Sequence, residues 1–91
     1  MLRMETVGPT FGADEVRTAI AGEIRALRGR RGMSQTELRE RAGFSRSTMR
    51  RIESGERDVE IAELMAISTA LGINAAELLQ AVQDSLEGKQ L

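Results

Sequence analysis

Apolar residues recur at helical spacing in five stretches of this chain, and each stretch closes at or just before a glycine. Val16, Ile20, Ile24 and Leu27 stand four, four and three residues apart, one stripe on a helix read over residues 13–31 and ended by Gly32. A second helix starts at Ser34, an N-cap whose capping box is completed by Glu37, with Met33 and Leu38 placed as a hydrophobic staple. It stops at Gly43, where a left-handed conformation costs a glycine little. The same punctuation then repeats. Phe44 and Met49 flank a new N-cap, Ser45, and a third helix runs on to Gly55. A fourth, over 59–71, presents Ile61, Leu64, Met65, Ile67 and Leu71 and ends at Gly72. The fifth opens with Asn74 as N-cap, Glu77 in its box and Ile73 with Leu78 as staple, then continues through Leu79, Val82 and Leu86.

Residues 1–12 contain Gly8, Pro9 and Gly12 without periodicity and read as a loosely ordered arm. Residues 13–82 make the folded domain, and 83–91 the end of the last helix with a tail. No strand pattern, repeat or low-complexity linker interrupts this order, so the expectation is an all-α, compact five-helix bundle. Its centre, 33–57, is two short capped helices joined by a tight turn, the helix-turn-helix pattern. The second helix of such a unit is shaped to enter a DNA major groove.

Charge sharpens that reading. The formal net charge is only −1. From Arg28 to Arg57, however, nine basic residues face four acidic ones, a net +5, while the remainder carries four against ten, a net −6. Basic charge gathered on one segment is the footprint of nucleic-acid contact, and the acidic remainder would keep other faces off the phosphates.

Composition removes other classes. The chain has no Cys, hence neither a disulfide nor a thiolate metal site, and no His, the usual general base and commonest metal ligand. The remaining titratable groups are scattered carboxylates, so neither an enzyme nor a metal or cofactor site is expected. With Phe11 and Phe44 the only aromatics, the core must be aliphatic. No apolar run approaches a membrane span and the first residues lack the build of a signal peptide, so a soluble cytoplasmic protein is expected.

From about residue 24 to 79 the chain resembles the phage repressor and Cro family of helix-turn-helix domains, also called the xenobiotic-response-element family. The resemblance rests on Ser34-Gln35, the Leu38…Ala42-Gly43 turn, residues 45–52, Glu53-Ser54-Gly55 and Ala70-Leu71-Gly72. It implies a lambda repressor-like domain, commonly dimeric, that reads operators. Arg46 and Arg51 fall on base-reading positions of the family. Arg46, Ser47, Arg50 and Arg51 are therefore the expected base-contacting residues, since arginine can bond guanine bidentately. Gln35 at the start of the second helix, with Thr48, Ser54 and Arg57, is expected to hold phosphates. Glu56 is out of place beside a phosphate backbone. Arg39 stands where the family usually has alanine; either its stem lies along the interface with its head in solvent, or the two helices sit slightly wider apart.

Glu53 would repel the ligand unless something neutralised it. Arg28, at the edge of the first helix's apolar stripe, is the natural partner, and the resemblance places an arginine–glutamate pair there. Its guanidinium could bond the carboxylate bidentately and still offer a donor outward to phosphate. Leu79, Val82 and Leu86 continue an apolar stripe beyond so small a core and are the candidate surface of a homodimer. The function expected is a repressor binding a double-stranded, pseudo-palindromic DNA operator. The alternative is an antitoxin that also binds a toxin protein; the short stretch after the fold favours the repressor.

Overall fold

Side-chain caps decide where each helix of the chain starts. The computed structural model describes residues 11–88, which form α1 (Ala13–Arg30), α2 (Gln35–Ala42), α3 (Arg46–Glu53), α4 (Ile61–Leu71) and α5 (Ala75–Gly88), with no strand among the described residues. The expected arm lies outside them except for Phe11 and Gly12. Ser34 Oγ accepts the Glu37 N–H at 3.0 Å and the Glu37 carboxylate accepts the Ser34 N–H at 2.9 Å, the reciprocal box expected for α2. Asn74 and Glu77 repeat it for α5, at 2.8 and 3.2 Å. Ser45 Oγ caps α3 through the Thr48 N–H at 3.1 Å.

Two caps were not read from the sequence. Gly12 caps α1, its N–H held by Glu15 at 2.9 Å. Glu60 caps α4, its N–H held by Glu63 at 3.0 Å, so that helix begins two residues later than expected and half-buried Val59 packs on the core from the preceding loop. Gly43 (φ +82°) closes α2 in the left-handed conformation the turn requires.

The core joins all five helices: Ile24, Leu38, Met49, Ile52, Ile67, Leu71 and Leu78 are essentially inaccessible. α5 packs mainly on α1, and α2 on α4. That arrangement corrects two expectations. Val82 and Leu86 are 4% and 6% exposed, members of the core rather than of an uncovered stripe. The reason is the length of α1: its 18 residues span about 27 Å and pack on α5, and Val16 and Ile20 of its first half join the same apolar cluster as Val82 and Leu86. The end of α5 therefore packs with the domain instead of trailing from it. Conversely, Ile61 (69%) and Met65 (56%) lie exposed on α4, whose inward face is Leu64, Ile67, Ser68 and Leu71. Ser68 is tolerated there because its hydroxyl donates to the Leu64 carbonyl at 2.8 Å.

Candidate nucleic-acid interface

α3 divides cleanly into two faces. Met49, Ile52 and Glu53 are buried; Arg46, Ser47, Arg50, Arg51 and Ser54 are exposed. All four expected base-contacting side chains thus stand together on the outer face, and none of the three arginines meets a carboxylate among the described residues. Thr48 is half-buried at the edge, its Oγ1 accepting the Ser45 hydroxyl at 3.0 Å.

Glu53 is the one buried carboxylate among the described residues, 4% exposed, and it anchors the helix. Arg28 Nε and Nη2 donate to its two oxygens at 2.8 and 2.9 Å, the bidentate pair anticipated from the sequence. Arg28 Nη1, expected to turn outward, donates instead to the Met33 carbonyl at 3.0 Å and ties the α1–α2 turn to the same cluster. Gln35 Nε2 donates to Glu53 Oε1 at 3.1 Å. The Gln35 amide, expected on phosphate, is thereby committed at least in part to the protein, linking the start of α2 to the end of α3.

Two further arginines of α1 join this clasp. Arg25 donates to the Glu53 main-chain carbonyl, and Arg17 Nη1 donates to Asp58 Oδ1 at 2.7 Å while also meeting Asp14. One side of α1 thus grips the end of the outward helix and the segment after it. The turn there comes close: a Cβ on Gly55 (φ +77°) would lie 3.6 Å from Thr18 Cα. Sequence reasoning found Arg28 and missed its neighbours. The available signal was that Arg17 and Arg28, eleven residues apart, share a helix face.

The remaining expected phosphate ligands are engaged elsewhere. Arg57 makes a two-pronged pair with Glu63 at 3.1 and 3.2 Å. The Glu60 N–H, and after it the Arg57 guanidinium, hold the Glu63 carboxyl below its ordinary range against the opposing effect of burial. The Ser54 hydroxyl donates to Glu56 Oε2 at 2.7 Å, with the Arg51 carbonyl at 3.2 Å as its other acceptor. Arg39 is half-buried with its Nε covered and lacking an acceptor among the described residues. Among the described residues, no group of three acidic residues could hold a metal ion, and no single helix is long and apolar enough to cross a membrane.

Residues 23–84 match the Cro/C1-type helix-turn-helix DNA-binding domain. The chain is 29% identical over 65 residues to an HTH-type transcriptional regulator, y4dJ, of Sinorhizobium fredii, a match covering 71% of this chain and 84% of that protein. Among solved structures it is similar to the clp gene regulator ClgR of Corynebacterium glutamicum, with a TM-score of 0.77 and 25% identity over 82% of this chain and 80% of that one. It is also similar to the restriction-modification controller protein C.AhdI of Aeromonas hydrophila, with a TM-score of 0.65 and 32% identity over 68% of this chain and 94% of that one.

Proposed function

The chain belongs to the Cro/C1-type helix-turn-helix DNA-binding family and is a DNA-binding transcriptional regulator; from that premise we propose that it is a repressor whose α3 enters the major groove of a pseudo-palindromic operator. The observation that carries this reading is the outer face of α3, four exposed side chains presenting three arginines that meet no carboxylate among the described residues, on a helix anchored from behind by a buried carboxylate. Arg46, Ser47, Arg50 and Arg51 are the residues proposed to meet base edges. No catalytic step belongs to this function, and its site of action is the DNA of the cytoplasm.

A palindromic operator calls for two copies. Val82 and Leu86, being buried, are replaced in that role by Ile61 and Met65, which with Leu79 (45%) are the large apolar side chains exposed among the described residues. The proposed homodimer joins through these α4 and α5 residues and sets two α3 helices about 34 Å apart, one helical turn of DNA. Selection of bound sequences from a random duplex pool, followed by footprinting upstream of its own gene, tests the reading. An inverted repeat protected at both halves, with transcription falling as protein is added, is the expected result. Equal retention of every sequence overturns it.

A further inference from the structure

Four carboxylates lie within the basic segment 28–57, and three of them stand apart from the outer face of α3 or are neutralised. Glu37 caps α2, Glu40 is on α2, and Glu53 is buried against Arg28. Glu56 differs. It is exposed, and no basic residue pairs with it among the described residues. Its backbone N–H donates to the Arg51 carbonyl at 2.9 Å across the Gly55 turn, fixing it against the end of α3. Its carboxylate receives the Ser54 hydroxyl at 2.7 Å. Ser54 follows Ser47 by seven residues, two helical turns, and so stands on the same outward line. The negative charge is therefore held on the face of α3 that turns toward the nucleic acid, at the helix end whose own dipole is already negative.

We infer that Glu56 is a built-in brake on DNA affinity. Resting on the reading of α3 as the groove-entering helix, this assigns Glu56 two effects of one sign. Its charge repels the phosphate backbone, and its carboxylate holds the Ser54 hydroxyl, which has a single hydrogen to give and, once released, has only the longer bond to the Arg51 carbonyl to set against a phosphate oxygen. The first effect is Coulombic and both concern the phosphates, so the brake acts on every DNA sequence alike and its charge part weakens as salt screens it.

The test measures binding of the full chain to two probes, a selected best duplex and a random-sequence duplex of the same length, over a range of salt. Glu56→Gln keeps the shape and an acceptor for Ser54 but removes the charge; Glu56→Ala also frees the hydroxyl. Both variants should bind both duplexes about three- to tenfold more tightly at low salt, Ala at least as tightly as Gln, with the gain shrinking as salt rises. Unchanged or weaker binding by Glu56→Gln overturns the brake. So does a loss confined to the selected duplex, which would make Glu56 a base reader of cytosine. Wild-type protein that bound neither duplex would overturn the DNA reading, and the brake with it. Since Glu56 is exposed and supports no core contact, far-ultraviolet circular dichroism should be unchanged in both variants.

Discussion

Arg28, Glu53 and Gln35 place a charged network inside a domain otherwise closed by aliphatic side chains. Glu53→Ala would strand the Arg28 guanidinium where water is scarce, and should destabilise the fold by about 3–5 kcal/mol. Removing Arg28 as well should cost less than the sum of the single losses, read from urea unfolding of the two single variants and the double. Strict additivity would mean that the charges do not interact. Gln35 offers a sharper discrimination. As a phosphate ligand alone, its truncation to alanine would leave stability unchanged; as a donor to the buried carboxylate, it should cost about 1.5 kcal/mol with no DNA present. Glu63 carries a pH signature. Its carboxyl is depressed in the fold, so its contribution is complete above the unfolded carboxyl value of about 4.3 and disappears as pH falls through the lower folded value. The stability gap between wild type and Glu63→Gln should therefore be widest near neutrality and close in acid.

At the scale of elements, α1, α2, α4 and α5 each carry an acidic residue in the first turn, and in each a glutamate three residues after the cap reaches back to the cap's N–H. α3 has none; its position is Thr48. Supplying the missing carboxylate by Thr48→Glu should complete a box with Ser45 and stabilise the fold by about 0.5 kcal/mol. The same change should weaken DNA binding, because the added charge sits where phosphates are expected. A variant both more stable and tighter on DNA would contradict the placement of that helix end. Leu86→Ala should cost about 2 kcal/mol or more, as expected of a core residue, whereas Leu79→Ala should stay within about 0.5 kcal/mol in the monomer. Caps and glycine stops were legible in the sequence because they are local: Ser34, Gly43, Ser45 and Asn74 act on neighbours within four residues. What covers Val82 depends on where α1 lies, about sixty residues and four turns of chain direction away, and periodicity carries no such information. The Arg28–Glu53 pair was legible through the resemblance and the stripe edge, but the commitment of Gln35 and Arg57 to carboxylates was not, since both are equally good phosphate ligands by chemistry.

Seen whole, the molecule separates its charge. Residues 58–88 hold six carboxylates and neither lysine nor arginine, opposite in sign to the +5 of 28–57. Two associations should then respond oppositely to salt. DNA binding should weaken by about 0.9 in log K per phosphate neutralised for each tenfold rise in salt. The proposed self-association through Ile61, Met65 and Leu79 would bring acidic faces together and should hold or strengthen over the same range. Sedimentation and fluorescence anisotropy on one salt series would test both, and a dimer that loosens with salt would point to a contact between opposite charges elsewhere. The division of α3 into a buried and an outer face has a consequence for how such a protein diversifies. Arg46, Ser47, Arg50 and Arg51 give nothing to the interior, while Met49, Ile52 and Glu53 give nothing outward. Under the proposed reading, the address such a protein recognises would be rewritten at four surface codons while its fold stays unchanged, so new regulatory targets would be open to it without any passage through unstable intermediates.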